Sequence, residues 1–154
     1  MPVKYKIESA SYEDIYLHLV KCDANFKPPL NTRVDLEIFS KKIYESSITF
    51  EAWDNDLLIG LVSSYFNDLK NRSGYINNVS IYYDYCGAGI ASILINMCID
   101  YANKNGFIYI YLEVNRNNIK AIKLYKKFDF VVVKENREFL LMKYVTCKRK
   151  FNMG

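Results

Sequence analysis

The order of structural signals along the chain predicts a mixed α/β (α+β) domain of seven strands and four helices, with a β-α-β unit at its centre. Three observations carry that prediction. Two amphipathic segments with capping signals lie near the start of the chain. From Thr49 the apolar period changes from that of a helix to that of strands. Past mid-chain, a Gly-x-Gly turn feeds the most regular helical stripe, and an apolar strand follows it.

Residues 5–9 alternate apolar and polar side chains and read as the first strand. Ser11 and Asp14 have the spacing of a capping box, and Ile15, His18, Leu19 and Cys22 share one face. Together they predict a helix over 11–22. Asn25-Phe26-Lys27-Pro28-Pro29 stops it, because proline bars the residue before it from helical backbone. Asp35 then caps a second helix with Leu36, Phe39 and Ile43 turned inward. Residues 49–53 and 57–66 form a hairpin around Asp54-Asn55-Asp56. Asn71-Arg72-Ser73-Gly74 turns the chain into a further strand over 75–82. After Gly87-Ala88-Gly89, the residues Ile90, Ile93, Leu94, Met97 and Tyr101 repeat as one helical face. Asn105-Gly106 ends that helix with glycine where a left-handed cap belongs. Residues 107–114 are nearly all apolar, the pattern of a strand buried on both faces. Asn118 caps a short helix with Ala121, Leu124, Tyr125 and Phe128 inward, and residues 130–133 and 139–145 close the chain as a hairpin.

At 154 residues, 51% hydrophobic and 25% charged, the chain suits one domain with a substantial core. It contains no repeat, linker or low-complexity stretch, so a single domain over 1–154 is expected, with 145–154 as a basic, frayed tail. No apolar run reaches the ~18 residues of a membrane span. Met1-Pro2-Val3-Lys4-Tyr5-Lys6 also lacks the apolar core of a signal peptide. The expectation is a cytoplasmic protein with no membrane partner. Cys22, Cys86, Cys98 and Cys147 are irregularly spaced and His18 is the single histidine, so neither a zinc site, another metal site nor a disulfide framework is expected. A formal charge of +4 fits a small anionic ligand as well as a nucleic acid. The tail Lys148-Arg149-Lys150 is short and has no interleaved aromatics, so no nucleic-acid partner is expected.

The glycine turn is the first chemical signal. A strand that runs through Gly-x-Gly into a helix presents unpaired N–H groups and the positive end of the helix dipole, a site suited to phosphate. Gly87 and Gly89 allow close approach because neither carries a Cβ. No G-x-x-x-x-G-K-[ST] is present, which excludes a P-loop. The dinucleotide fingerprint would need glycine or alanine where Ser92 stands, and an earlier place in a doubly wound sheet.

Residues 86–91 (Cys-Gly-Ala-Gly-Ile-Ala) align with the motif [RQ]-x-x-G-x-[GA]. Residues 118–130 match N-x-x-A-x-x-L-Y-x-x-x-G-F, and Leu112-Glu113-Val114 lies between the two. The combination resembles the GCN5-related N-acetyltransferase (GNAT) family, in element order over the whole chain and in motif between about residues 75 and 130. The resemblance implies a mixed, mostly antiparallel central sheet flanked by the helices. It also implies direct transfer of the acetyl group of acetyl-CoA to a primary amine of a small molecule, an amino sugar or a peptide N-terminus. The alternative is a degenerate member that binds acyl-CoA without turnover. Carried over by residue, the resemblance makes Cys86, Gly87, Ala88, Gly89, Ile90, Ala91 and Ser92 the pyrophosphate loop. Val79, Ser80 and Ile81 would pair through their backbone with the pantetheine arm, Asn118 would bond the cofactor's amide region, and Tyr125 would lie near its sulfur.

Two positions depart from the family pattern. Cys86 replaces the usual Arg or Gln, removing a side-chain donor worth about 1–2 kcal/mol at a phosphate. Asp129 replaces glycine, which Asp accommodates better than most residues. For the chemistry, Glu113 is the expected base, since a carboxylate inside an apolar run has its pKa raised by desolvation. Members similar over this stretch use the glutamate of an L-E-V strand in that way. Tyr125 is the expected general acid, because a phenol near ~10 lies close to a thiol. His18 reads as a core histidine. The acceptor is expected against Phe26, Arg33, Asn77 and Asn78, and the edge strands are compatible with a homodimer.

Overall fold

The computed structural model describes residues 2–23, 31 and 34–146. Among them, seven strands and four α-helices follow the predicted order. The strands are β1 (Lys4–Ile7), β2 (Ile48–Asp54), β3 (Leu57–Asp68), β4 (Ser73–Ile81), β5 (Tyr109–Asn115), β6 (Val131–Glu135) and β7 (Phe139–Val145). The helices are α1 (Tyr12–Cys22), α2 (Leu36–Ser46), α3 (Ile90–Lys104) and α4 (Ile119–Lys127). The strands form one sheet in the order β1-β2-β3-β4-β5-β7-β6. Within it β4 pairs parallel with β5, while β1–β2, β2–β3, β5–β7 and β6–β7 are antiparallel. The sheet is therefore mixed and mostly antiparallel, as expected.

Local chemistry sets the element ends. Ser11 Oγ accepts from the Asp14 N–H at 3.1 Å and Asp14 Oδ2 accepts from the Ser11 N–H at 2.9 Å, completing the capping box of α1. Asp35 caps α2 by accepting from the Ile38 N–H. At the end of α3, Gly106 takes a φ of +78° and the Phe107 N–H reaches back to the Ala102 carbonyl. Asp129 does the same work after α4 with a φ of +71°. The Asp129 and Phe130 N–H groups return to the carbonyls of Lys126 and Tyr125. The turn thus survives the absence of glycine at that position.

By its contacts the chain divides into two compact units, Met1–Ser64 with Asn78–Cys98, and Tyr65–Asn77 with Ile99–Gly154. In the first, Ala10, Ile15, Leu19, Ile43, Trp53, Leu58 and Leu61 form an apolar cluster, with Val34, Leu36 and Phe39 packed on it. Beside it lies Glu51, fully buried on β2. Its carboxylate accepts from the Ser9 and Ala10 N–H groups, the Ser9 and Thr49 hydroxyls and the Trp53 indole N–H. Those donors replace the water that the group gives up. In the second unit, Phe66 packs on Tyr101 and Phe107, and Phe130 packs between Tyr125 and Tyr144. A Cβ at Gly74 would stand 2.4 Å from the Phe66 ring, so that ring lies flat on the glycine.

Three expectations about faces are corrected. Ile93 is 42% exposed. The buried stripe of α3 runs instead through Ile90, Leu94, Ile95, Cys98, Ile99 and Ala102. On β5 only Ile110, Leu112 and Val114 are buried, so the strand is covered on one face rather than two. Its apolar letters mislead because Tyr109 and Tyr111 stand on the open side beneath Lys143, whose ammonium lies 4.2 Å from the Tyr109 ring centroid. On α4 the buried residues are Ile122 and Tyr125, while Ala121, Leu124 and Phe128 are half-buried. The proline loop and the basic tail lie outside the described residues. Among those residues no helix is long and apolar enough to cross a membrane.

Candidate active site

In the first unit the glycine turn is built upon β4. The Tyr82 N–H donates to the Ile59 carbonyl at 2.8 Å, and a single 3₁₀ turn, Tyr83–Tyr85, follows. The Tyr85 hydroxyl donates to Asp54, tying that turn to the β2–β3 hairpin. Gly87 and Gly89 then adopt φ values of +84° and +80°, which only glycine takes without strain. A Cβ at either position would meet nothing within 4 Å, so both face open space. The Ile93 N–H bonds to the Gly89 carbonyl at 3.2 Å, and the amides of Ile90, Ala91 and Ser92 are the orphan donors of the first turn of α3. No acidic residue stands in that turn.

Gly60 seats this helix. A Cβ there would lie 3.0 Å from Ile90, 3.1 Å from Ile81 and 3.2 Å from Ala52, so the start of α3 rests on bare backbone. Sequence reasoning missed Gly60, whose role depends on a neighbour thirty positions away. Cys86 is exposed. Its thiol lies 3.6 Å from the Tyr82 carbonyl and 3.9 Å from that of Ile81.

Val79 and Ile81 are half-buried and Ser80 is buried. Asn78, expected at the acceptor, is turned into the core. Its amide donates to the Leu61 carbonyl at 3.2 Å and to Ser80 Oγ at 2.9 Å, so its two protons are engaged within the core. His18 is a core residue as expected, 1% exposed, and burial pushes its imidazole down to about 4. Asn77 is half-buried, and Phe26 and Arg33 lie outside the described residues.

In the second unit the β4–β5 ladder runs from Ser73–Tyr109 to Ile76–Leu112, and Glu113 is the next residue on β5. Glu113 is exposed rather than enclosed by the apolar residues on either side of it. Tyr75, opposite Tyr111, was not anticipated. Its phenol is pushed up by burial first, then by the neighbouring charges of Glu113 and Tyr65. The strand register could have revealed it, because residues 75, 111 and 113 share one face. Asn118 caps α4, its side-chain oxygen accepting from the Ala121 N–H at 3.2 Å. Tyr125 is buried, with its ring centroid 5.9 Å from that of Phe130. Burial raises its phenol above the ordinary value rather than leaving it matched to a free thiol.

Two backbone features are thus suited to an extended anionic ligand. One is the pair of open glycines, and the other is a helix start whose first turn carries no carboxylate. Comparisons with known proteins agree. Residues 12–130 match the model of the acetyltransferase (GNAT) family. "Probable N-acetyltransferase san" of Drosophila melanogaster is 32% identical over 90 residues, 57% of this chain and 49% of that protein. The chain spans about half the length of the curated relatives it matches. The fold is shared with the Escherichia coli ribosomal-protein-S18-alanine N-acetyltransferase, at a TM-score of 0.75 and 20% identity over 92% of this chain and 94% of that one. It is also shared with PaiA N-acetyltransferase of Thermoplasma acidophilum, solved in complex with coenzyme A. That match has a TM-score of 0.74 and 15% identity over 94% of this chain and 99% of that one. With its glycine turn, its sheet order and more than half its length matched, the chain belongs to the acetyltransferase (GNAT) family.

Proposed function

We propose that this protein transfers the acetyl group of acetyl-CoA to a primary amine. The observation that carries the reading is the pair of positive-φ glycines facing open space at the start of α3. Acetyl-CoA supplies an acyl group activated as a thioester. In this reading Gly87–Ser92 hold its pyrophosphate through backbone N–H groups, and the backbone of Val79–Ile81 pairs with its amide arm. Asn118 bonds the same arm. A peptide N-terminus is the favoured acceptor over an amino sugar or small amine, a reading supported by the curated relative "N-alpha-acetyltransferase 50" of Danio rerio, 29% identical over 90 residues.

The attacking amine must lose a proton and the departing sulfur must gain one. Glu113 takes the first through water, as suits an exposed carboxylate beside Tyr75. Tyr125 gives the second. Its raised phenol keeps the proton at neutral pH until a thiolate develops, and the same burial raises a thiolate's proton affinity. The acyl–nitrogen bond forms first, by addition to the thioester carbonyl, and the acyl–sulfur bond breaks as that adduct collapses.

Cys86 favours a second reading, a member that binds acyl-CoA without turnover, since the usual side-chain donor is missing. Amine-dependent release of free thiol separates the two. The enzyme reading expects release to fall at least tenfold in Glu113→Gln and in Tyr125→Phe. Full activity in both variants would overturn these roles, and no release with any amine would favour the second reading.

A further inference from the structure

His18 is buried at the meeting of α1, β3 and β4, and the partners around it fix where every proton lies. A carbonyl oxygen only accepts, so the contact of 2.7 Å to Leu58 O places a proton on Nδ1. Nε2 then carries a lone pair and accepts from the Ser80 hydroxyl at 2.8 Å. Ser80 Oγ in turn accepts from the Asn78 amide, whose nitrogen also donates to the Leu61 carbonyl. The imidazole stacks on the Tyr82 ring with centroids 5.2 Å apart and planes within 9°. Cys22 Sγ lies 3.7 Å from Nε2 on the α1 side. The chain of bonds closes with one tautomer and uses both ring nitrogens.

We propose that His18 is a positioning residue for the cofactor edge of β4, acting through Ser80 and Asn78. The inference rests on the proposed function. Asn78 and Ser80 flank Val79, and Ser80 precedes Ile81, so two side chains anchored two residues apart set the peptide planes between and beyond them. Those are the planes assigned to the ligand's amide groups. Nothing in a core that merely needed filling requires a histidine here, since an apolar side chain of similar size would fill the space without demanding partners.

The test compares His18→Leu, which fills the space but keeps neither bond, with His18→Gln, which keeps one donor and one acceptor. Ser80→Ala is measured beside them. Acetyl-CoA affinity is read by calorimetry and its KM by thiol release. His18→Leu and Ser80→Ala are each expected to raise Kd and KM about tenfold with kcat changed less than about twofold, while His18→Gln stays within about threefold of wild type. The double variant His18→Leu/Ser80→Ala should be no worse than either single one, because both break one unit. Wild-type affinity in folded His18→Leu and Ser80→Ala would overturn the assignment, as would a ranking in which Leu binds better than Gln. If the His18 variants fail to fold, Ser80→Ala decides alone, since it removes one hydroxyl. Wild type that fails to bind acetyl-CoA would overturn the proposed function, whereas wild-type binding that no variant weakens would overturn only the role of His18.

Discussion

Acid should loosen this protein through one imidazole before most of its carboxylates titrate. Burial pushes His18 down from 6.5 to about 4, against a smaller upward pull from its bonds to Leu58 and Ser80. The native state therefore refuses a proton that the unfolded chain accepts. Stability from this group is complete above the unfolded value and is lost as pH falls from about 6.5 towards 4. At ~1.4 kcal/mol per pH unit, that gap is worth about 3 kcal/mol, a large part of an ordinary domain's stability. The groups that face the ring do not share the titration. Cys22, on α1, is pushed up to about 12, and the Tyr82 phenol is also raised, so both stay neutral throughout this window. Urea denaturation followed by fluorescence of Trp53, the single tryptophan and nearly buried, measures the effect. Comparison with His18→Gln cancels the carboxylates. Between neutral pH and about pH 4 the wild type should lose about 3 kcal/mol more than the variant. Parallel profiles would refute the argument.

Three other outcomes follow from single groups. Glu51→Gln should cost about 3 kcal/mol or more, because it turns an amide NH₂ toward donors that now converge on a carboxylate. Its urea midpoint checks this. Ser40, fully buried on α2, has a hydroxyl without a hydrogen-bond partner among the described residues, so Ser40→Ala should raise stability by about 1 kcal/mol in the same assay. Cys86→Gln should tighten acetyl-CoA binding by about 5–30-fold in calorimetry, the equivalent of ~1–2 kcal/mol from one recovered donor.

Much of this molecule was legible because its signals are local. Ser11 with Asp14 and Gly106 after Asn105 each act within a few residues and perform the predicted backbone task, and the glycine pair before Ile90 takes left-handed backbone. What escaped depends on partners distant in sequence. Glu51 carries no signal of its own in the strand pattern, and its role shows only once Ser9, Ala10 and Trp53 are brought around it. Asn78 looks like an acceptor-binding amide until Leu61 and Ser80 claim its protons. The open face of β5 was hidden by tyrosines, which are apolar in a hydropathy count yet tolerate water and a cation. Glu113 was placed beside the reaction by the same run of letters. The structure keeps it near Tyr75 and leaves it exposed.

The central claim is that the turn around Gly87 and Gly89 holds acetyl-CoA. A thermal-shift titration with acetyl-CoA, alongside NAD and ATP, tests it most directly. Ligand at about 100 times its Kd adds ~2.7 kcal/mol, a rise of several degrees for a domain of this size. The account predicts that rise with acetyl-CoA alone, and its loss in Gly89→Val, whose side chain would enter the open space under strained backbone. An unchanged melting temperature at millimolar acetyl-CoA, or an equal rise with all three ligands, would contradict it.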